Sequence, residues 1–533
     1  MTSGLHHVTL LTRRLQANVD FYLGFLGLRL VKRTAGFEDA AQLHLFYGDA
    51  LGSPGSLVTF LAWEDGAPGR VGHGQVAEIA FAVPPDAIGG WLTRALAAGL
   101  RPEGPVAEFG EPVLRLRDPD GFIVKLVGAA LAPAGPPAPS DRVPPGEAIL
   151  RLRGVTLFSE MPAESAAFLA TQFGFAPQAT APGLTRLVGS TGDAVDIRDA
   201  SGFWPGRPGT GTADHVALRT PDAATLAAAE ARLQAAAEPT TLHDRHYFRS
   251  LYVRDPAGVL LELATDGPGF LVDEPAATLG SRLMLPPALT GAAREDARLS
   301  LPQLSLPGAW RIPHRDLGFV HRLVLPEGPD GPEEPEGRDT LVLLHGSGGA
   351  EADLIPLARR AAAGAAILAL RGRSLEEGRP RWFRRLTPDA QGPEDFDQAD
   401  IRFEAEALAA FLKEAQAAYG LDAAGMVLVG HSNGANLAAA LLGLVPGRVR
   451  RAILLRPQAV LADPPAPDLA GTAVLAVLGG QDPAAPEGAR LAAELARLGA
   501  AVTERVLPAR HALVPADAGA AADWLAATPA PAA

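Results

Sequence analysis

The feature that most constrains the fold of this chain is an internal repeat. Residues 117–128 are RDPDGFIVKLVG and residues 254–265 are RDPAGVLLELAT, so each segment has an Asp-Pro-x-Gly turn followed by an apolar run. Such a turn before an apolar run is typical of a β-hairpin. Residues 19–31 (VDFYLGFLGLRLV) and 166–177 (AAFLATQFGFAP) also match each other, and each predicts an amphipathic helix that ends at glycine before a strand.

These repeats divide the first 265 residues into four similar units, which begin near His6, Val76, Leu150 and His215. Each unit has the pattern of a strand, a helix and about three further strands, a βαβββ unit. Residues 129–146 are rich in Pro, Ala and Gly and are typical of a linker. We therefore expect two domains of two units each, at residues 1–130 and 147–290.

The pattern changes after Asp266. Residues 267–315 are rich in Pro and Leu, and we expect them to wrap the first half of the chain. From Leu317 onward, apolar runs alternate with helix-like segments, which predicts a parallel, doubly wound sheet. The predicted strands are residues 340–344, 366–370, 426–429, 452–455 and 473–478, and residues 326–338 are predicted to be a polar loop. The predicted fold class is thus α+β followed by an α/β domain at residues 316–533.

Composition limits the chemistry available to the chain. It has no cysteine beside 12 histidines, which excludes disulfides, zinc–thiolate sites, iron–sulfur clusters and a cysteine nucleophile. The net charge of −13 argues against nucleic acid or an anionic membrane as a partner. Residues 1–14 lack the apolar core of a signal peptide, and no run reaches the roughly 18 apolar residues of a membrane helix. We expect a soluble, cytoplasmic protein.

Two histidines and a glutamate occupy matched places in units one and four. Alternate residues of a strand face opposite sides, so only one residue of His6-His7 and one of the pair before Val216 can face inward. Glu262 lies in an apolar strand, where an unpaired carboxylate is costly and a metal would compensate it. If units one and four pair, His7, His215 and Glu262 converge on one centre.

Two histidines and one carboxylate with open positions are typical of non-haem Fe(II) oxygenases. The counterpart of Glu262 in unit two is Lys125, so we expect at most one such site in the repeats. The ligand set suits Mn(II) as well as Fe(II). Taken singly, each of these residues is more simply explained as a buried or surface side chain.

Residues 4 to about 290 resemble the extradiol ring-cleaving dioxygenases of the vicinal oxygen chelate (glyoxalase-like) superfamily, in the branch that acts on hydroquinones. The motifs that carry the resemblance are GLHHVTLLT, VDFYLGFLGLRLVKRT, LHLFYGD, DRHYFRSLYVRDPAGVLLELATDGPGF and a Leu-Pro-Pro near residue 285. The resemblance implies His7, His215 and Glu262 as iron ligands. It implies that His6, Thr9, Arg245 and Tyr252 support the ligands or contact the substrate.

These residue types suit such roles. Arg245 can offset phenolate or carboxylate charge, and Tyr252 and His6 can donate or relay protons. A surface salt bridge for Arg245 and a core position for Tyr252 are the alternatives.

The sequence departs from the family at Asp214, where the usual residue is His. A carboxylate there accepts hydrogen bonds but delivers a proton at neutral pH only if its pKa is raised.

A second set of chemical motifs lies in the α/β part. Residues 427–434 (VLVGHSNG) lead from a strand through G-x-S-x-G into a helix-like run, which is the pattern of a nucleophile elbow. We predict that Ser432 attacks, His511 takes its proton and Asp482 orients the imidazole. The backbone amides of Ser347, in LHGSGG, and Asn433 are the predicted oxyanion hole. A degenerate hydrolase fold kept for packing is the alternative.

Residues 319 to about 525 resemble the carboxylesterase/phospholipase-like α/β-hydrolases through the motifs LHGSGGAEADL, RGRSLEEGRPRWFRRL, GHSNGAN and GGQDP. The arginine-rich residues 371–385 are expected either to cover the active site and attract an acidic substrate, or to be a plain solvated face.

The two resemblances together predict a bifunctional enzyme. One half is expected to open a hydroquinone- or catechol-like diol with O₂, and the other to hydrolyse an ester or a ring-fission product. The alternatives are a glyoxalase-like isomerase or an aromatic-binding module, either of them fused to a carboxylesterase. The sequence leaves para- versus ortho-diol open, and it is compatible with a homo-oligomer.

Overall fold

We describe a computed structural model over residues 4–36, 42–306, 317–328, 331–335, 337–387 and 392–530. The chain forms two compact units, Met1–Thr290 and Gly291–Ala533. The predicted domain limit at residue 316 and the predicted limits at residues 1 and 533 lie outside the described residues. The limits at residues 130, 147 and 290 stay predictions.

The first unit is built from four βαβββ repeats. The first has β1 (Leu5–Thr12), α1 (Leu15–Val19), β2 (Arg29–Ala35), β3 (Leu43–Gly48) and β4 (Leu57–Ala62), and the second has β5 (Gln75–Val83), α2 (Ile88–Ala97), β6 (Glu103–Glu108), β7 (Glu111–Arg117) and β8 (Ile123–Gly128). The third has β9 (Arg151–Ser159), α3 (Pro162–Phe168), β10 (Ala176–Ala181), β11 (Leu184–Val188) and β12 (Ala194–Asp199), and the fourth has β13 (Ala213–Thr220), α4 (Ala223–Leu233), β14 (His243–Asp244), β15 (Phe248–Arg254) and β16 (Leu260–Pro268). A short β17 (Leu283–Met284) follows.

Each of the two large sheets in the first unit is formed by two repeats. Repeats one and four share a nine-stranded sheet, in the order β14-β15-β16-β13-β1-β4-β3-β2-β17, joined by the antiparallel pair β1 and β13. Repeats two and three share an eight-stranded sheet, in the order β10-β11-β12-β9-β5-β8-β7-β6, joined by the antiparallel pair β5 and β9. Each sheet therefore takes one repeat from each of the two predicted domains.

The repeated Asp-Pro-x-Gly turns have matching hydrogen bonds. Asp118 Oδ1 accepts from the backbone N–H of Asp120 and Phe122, and Asp255 Oδ1 accepts in the same way from the residues two and four positions later. The second oxygen of each aspartate accepts a hydroxyl from a preceding repeat, from Tyr22 at 3.1 Å and from Ser165 at 2.6 Å. The matching turns therefore have a structural role, because each turn links two successive repeats.

The second unit contains a seven-stranded sheet with helices along the chain between its strands. Its helices are α5 (Gly291–Ser300), α6 (Ile355–Ala361), α7 (Gln398–Tyr419), α8 (Asn433–Leu444), α9 (Ala485–Arg497) and α10 (Pro515–Ala527). Its strands are β18 (His321–Val324), β19 (Glu327–Gly328), β20 (Gly331–Pro332), β21 (Thr340–Leu344), β22 (Ala366–Leu370), β23 (Ser374–Glu376), β24 (Arg379–Arg381), β25 (Met426–His431), β26 (Arg451–Leu455), β27 (Ala473–Gly479) and β28 (Ala501–Leu507).

The large sheet has the order β18-β22-β21-β25-β26-β27-β28, and all neighbours are parallel except β18 and β22. Apolar side chains cover both of its faces, as the alternating strand and helix pattern predicted. Two expectations were incomplete. Helix α5 belongs to the second unit and packs on α6, although we expected residues 267–315 to wrap the first half. The predicted polar loop also contains the small hairpin of β19 and β20.

Within the described residues, no helix is both long enough and apolar enough to span a bilayer.

Candidate active sites

Three potential metal ligands lie on neighbouring strands of the nine-stranded sheet. His7 is in β1, His215 in β13 and Glu262 in β16. Ala217 pairs with His7 on one side and with Glu262 on the other, and His215 precedes it by two residues on the same face. The small side chain of Ala217 therefore leaves space between the three larger ones.

The possible ligand atoms converge on that space. Glu262 Oε2 is 3.2 Å from His7 Nε2 and 2.7 Å from His215 Nε2. Glu262 is completely buried, and among the described residues the two imidazoles are the polar partners of its Oε2. In the described part of the chain, this is the one group of at least three His, Asp or Glu side chains whose ligand atoms lie within 4.8 Å of one another. A buried carboxylate oxygen that faces two imidazole nitrogens suits a divalent cation.

The charges of the site depend on one another. Burial would raise the pKa of Glu262, but the imidazoles of His7 and His215 outweigh it and hold that pKa well below the usual value. Burial would lower the pKa of His215, but the Glu262 carboxylate and the hydrogen bond that His215 donates to Asp214 outweigh it and raise that pKa to about 9. Burial lowers the pKa of His7. Without a metal, the site therefore holds a proton on His215 and none on Glu262 at neutral pH.

Each of the three side chains is held through its other polar atom. His6 Nδ1 is 2.9 Å from His7 Nδ1, and Asp214 Oδ2 is 2.7 Å from His215 Nδ1. Ser250 donates its hydroxyl to Glu262 Oε1. These contacts leave both Nε2 atoms and one carboxylate oxygen directed at the common centre, which is the usual arrangement of the shell around metal ligands.

A polar chain runs from His215 into β3. His215 Nε2 is 2.9 Å from Thr9 Oγ1, which is 2.9 Å from Thr59 Oγ1, which in turn is 3.0 Å from His44 Nε2. Loss of hydration, together with the nearby His7 and His215, lowers the pKa of His44 to about 3. Thr9 is thus brought beside His215. Thr59 and His44 were missed, because only the pairing of β4 with β1 and of β3 with β4 brings them to the site.

Arg245 and Tyr252 lie beside the histidines. The Tyr252 ring is 5.5 Å from the His215 ring, and an Arg245 Nη atom is 3.4 Å from the Tyr252 hydroxyl oxygen. Burial, followed by the Glu262 charge, raises the pKa of Tyr252 above its usual value. The Phe248 ring is 5.2 Å from His7 and was not predicted, although it belongs to the DRHYFRS motif. The site therefore combines a cation, a neutral phenol and an apolar wall.

The second unit brings together Ser432, His511 and Asp482. His511 Nε2 is 2.8 Å from Ser432 Oγ, and His511 Nδ1 is 2.7 Å from Asp482 Oδ2. Asp482 follows β27 and is buried, whereas the His511 side chain follows β28 and is 47% exposed. These distances suit proton transfer from a serine to an imidazole that a buried carboxylate orients.

Ser432 lies in a strained turn between β25 and α8. Its φ is +51°, a region that non-glycine residues rarely adopt. A Cβ at Gly430 would lie 2.5 Å from the Cα of Ala435, and one at Gly434 would collide with the carbonyl oxygen of Leu344. Both glycines are therefore required for the tight passage from strand to helix that exposes the serine hydroxyl.

The predicted oxyanion residues lie on either side of that turn. Ser347 is exposed in the loop after β21, and Asn433 is the first residue of α8, so its backbone N–H has no acceptor within the helix. The Asn433 side chain accepts the backbone N–H of Trp382 at 2.8 Å, and the Trp382 indole donates to the His345 carbonyl at 2.8 Å. These bonds hold the two segments beside each other.

Arg456 supports the loop of His511 and was not predicted. It follows β26 with a φ of +54° and forms an ion pair with Asp517, in which both side chains are completely buried. Its Nε donates to the Arg510 carbonyl at 3.0 Å, and an Nη atom lies 3.4 Å from the Ala512 carbonyl. Arg456 therefore contacts the backbone on both sides of His511.

Comparison with known proteins agrees with these two folds. The first unit matches the family model described as glyoxalase/bleomycin resistance protein/dioxygenase superfamily over residues 4–126 and 151–263. The "Putative ring-cleaving dioxygenase MhqE" of Bacillus subtilis is 35% identical over 290 residues, which cover 54% of this chain and 94% of the relative. The chain belongs to this superfamily.

This glyoxalase-superfamily unit is also 29% identical to the "Chlorohydroquinone/hydroquinone 1,2-dioxygenase" of Sphingobium indicum over 302 residues, which cover 55% of this chain and 94% of the relative. The second unit matches the alpha/beta hydrolase fold over residues 339–511. The "Putative hydrolase MhqD" of Bacillus subtilis is 36% identical over 151 residues, which cover 28% of this chain and 73% of the relative. The predicted fusion and its fold class are confirmed.

Among the described residues, the other sheet of the glyoxalase-superfamily unit has no comparable group of three potential metal ligands. Ala80 pairs with Lys125 and with Gly154, as Ala217 pairs with Glu262 and with a histidine in the first sheet. Lys125 Nζ lies 2.9 Å from Glu78 Oε2 and 3.1 Å from a threonine hydroxyl. A lysine and its ion pair thus occupy the place that corresponds to the three ligands.

Proposed function

We propose that the glyoxalase-superfamily unit is an Fe(II)-dependent, extradiol-type ring-cleaving dioxygenase for hydroquinone- or catechol-like diols, with Mn(II) as the alternative metal. The observation that supports this most directly is the convergence of His7, His215 and Glu262, in which a buried carboxylate oxygen faces both imidazole nitrogens. The kinship with ring-cleaving dioxygenases supports the same reaction.

The ligand set would hold the metal through two neutral nitrogens and one anionic oxygen. A divalent iron there would supply positive charge for an ionised phenol oxygen and electrons for the reduction of O₂. Because Oε1 of Glu262 accepts the Ser250 hydroxyl, Oε2 is the oxygen that remains for the metal. His6 and Asp214 keep the two imidazole rings in place through Nδ1.

The neighbouring side chains would handle the diol and its protons. Arg245 and Tyr252 form a donor pair that can stabilise negative charge on a substrate oxygen. Burial would raise the pKa of Asp214, but the hydrogen bond to His215 outweighs it and holds that pKa below the usual value. Asp214 is therefore an acceptor at neutral pH and not a proton donor, unlike the histidine that is usual in the family. Phe248 and the buried apolar side chains around it exclude water.

The test is metal analysis combined with oxygen uptake. Anaerobically iron-loaded protein is expected to bind one iron and to consume O₂ with members of a hydroquinone and catechol panel. His7→Ala and Glu262→Ala are expected to lose both properties. Metal binding without oxygen uptake would favour a glyoxalase-like isomerase, and aromatic binding without any metal would favour a sequestering module.

We propose that the α/β-hydrolase domain is a serine hydrolase for an ester or a ring-fission product. The supporting observation is the hydrogen-bonded chain from Ser432 through His511 to Asp482. Ser432 Oγ would attack the carbonyl carbon while His511 Nε2 takes its proton, and Asp482 would stabilise the imidazolium. The backbone N–H groups of Ser347 and Asn433 would stabilise the oxyanion.

Ser432→Ala should lower the hydrolysis of a chromogenic ester by about 1,000-fold or more, and it should prevent labelling by a fluorophosphonate. A fully active variant would refute the proposed nucleophile. If the two activities act in sequence, the same substitution should also change the final product of diol turnover. An unchanged product would separate the two activities.

A further inference from the structure

The hairpin of β23 and β24 is fixed to the oxyanion elements of the hydrolase domain. Four hydrogen bonds connect them: Gly348 N–H to the Pro380 carbonyl at 2.8 Å, Gly372 N–H to His345 Nε2 at 3.0 Å, Trp382 N–H to Asn433 Oδ1 at 2.8 Å, and the Trp382 indole to the His345 carbonyl at 2.8 Å. Both ends of the hairpin are thus attached to the loop that contains Ser347. The position of the hairpin beside the active site is therefore well defined.

Most arginines of this segment are neutralised by carboxylates. Five of the six arginines between residues 371 and 385 form ion pairs: Arg371 with Glu351, Arg373 with Glu404, Arg381 with Glu376, Arg384 with Asp397 and Arg385 with Glu376. The sixth is Arg379, the first residue of β24. Within the described ranges of the chain, its exposed side chain has no hydrogen bond or ion pair.

The stem of Arg379 follows the oxyanion loop. A Cβ built on Gly348 would lie 3.5 Å from Cδ and 3.8 Å from Cβ of Arg379. Gly348 follows Ser347 directly, and both residues are exposed. The stem of Arg379 thus lies beside the residue that follows Ser347, and no described residue pairs with its charge.

We propose that Arg379 binds a carboxylate of the substrate, so that the hydrolase acts on anionic acyl compounds. This inference rests on the proposed function of the triad. A guanidinium is the side chain best suited to a carboxylate, because its donors match both oxygens. Arg379 is then a specificity residue, whereas the other five arginines hold the hairpin and the surrounding structure together.

The same substrate class follows from the chemistry proposed for the first unit. Extradiol cleavage breaks the bond between a hydroxyl-bearing ring carbon and its neighbour, and it adds both atoms of one O₂. The first carbon becomes a carboxyl carbon and the neighbour becomes a carbonyl carbon, so no other oxidant is needed. Each product of such a reaction carries a carboxylate, which Arg379 would recognise.

The test compares two 4-nitrophenyl esters of equal acyl length, the butyrate and the monoester of succinate, with the full-length protein. Arg379→Ala should lower the succinate-to-butyrate ratio of kcat/KM by about tenfold, mainly through KM. Arg379→Lys should keep part of the preference. Arg384→Ala is the matched control, because this exposed arginine of the same segment already has a carboxylate partner. High salt should reduce the preference of the wild type.

A second pair of esters, phenyl acetate and 4-acetoxybenzoate, places the carboxylate on the leaving group. A preference that depends on Arg379 in either pair supports the proposal and shows which side of the scissile bond the arginine faces. Esterase activity with no preference for a carboxylate in either pair, or a preference that survives Arg379→Ala, would overturn it. An absence of all esterase activity in the wild type would instead overturn the proposed hydrolase function, and the inference with it.

Discussion

Metal binding to the three-ligand site should release a proton. In the metal-free site, the pKa of His215 is raised to about 9, because the Glu262 carboxylate and the Asp214 hydrogen bond outweigh the effect of burial. The pKa of His7 is lowered, so His7 already offers a neutral nitrogen at pH 7. The proton of His215 at Nε2 is therefore the one that a metal must displace.

The size of the effect follows from this pKa. A pKa of about 9 lies about two units above pH 7, so removal of the proton at pH 7 costs about 3 kcal/mol, on the order of a hundredfold in affinity. Apparent affinity should rise about tenfold per pH unit below pH 9, with one proton released per ion at pH 7. Calorimetric titration with Mn(II) in buffers of different ionisation enthalpy measures that number directly.

Asp214→Asn is the informative variant, because it removes a group that raises the pKa of His215. We expect fewer protons released per ion at pH 8 than in the wild type. Asp141→Asn is the control, since the Asp141 side chain is 95% exposed and remote in sequence from the ligands. Affinity that is independent of pH between 6 and 8, with no proton released, would refute the charge assignment of the site.

Three further perturbations have clear expected outcomes. Ala217→Phe should fill the space between His7 and Glu262 and abolish metal stoichiometry, while an unchanged circular dichroism spectrum reports that the glyoxalase-superfamily unit is folded. Arg456→Lys should keep the charge beside Asp517 but lose the forked contacts around His511, so kcat should fall about tenfold with an altered pH profile. Burial raises the pKa of Asp118 to about 7, so the free energy of unfolding falls as pH rises from about 4 to 7. Between pH 5 and 8, the decrease in that free energy should be about 3 kcal/mol smaller in Asp118→Asn than in the wild type. Urea unfolding at the two pH values measures the difference.

Local pattern was sufficient to predict much of the fold. The strands predicted at residues 340–344 and 366–370 have those limits in the structure, because each is a short apolar run buried on both faces. The repeat predicted four βαβββ units for the same reason, since its turn residues and its glycine stops are determined locally. Residues 291–300 were misplaced because an amphipathic helix does not show in its own sequence which unit it packs against.

The supporting residues of the sites were harder to predict, because they depend on contacts between distant segments. Ser250 contacts Glu262 only through the antiparallel pairing of β15 and β16, and Thr59 meets Thr9 only because β1 and β4 are parallel and in register. In the sequence, Arg456 is one polar residue among several that follow strands, and only the structure shows its buried ion pair. Motifs therefore indicate the candidate reacting groups, and strand register determines the groups that orient them.

The second sheet shows why the repeated fold has a single candidate metal site among the described residues. In the register that relates the two sheets, Glu78 stands where His215 stands, Lys125 where Glu262 stands and Gly154 where His7 stands. Burial would raise the pKa of Glu78, but Lys125 outweighs it and lowers that pKa. The ammonium group of Lys125 thus supplies the positive charge that a metal would supply in the first sheet, and a buried charge remains compensated in both. Removal of one partner of such an ion pair leaves the charge of the other partner uncompensated. Conversion of the second sheet to a metal site would therefore require several substitutions at once, whereas the first sheet needs only a bound cation.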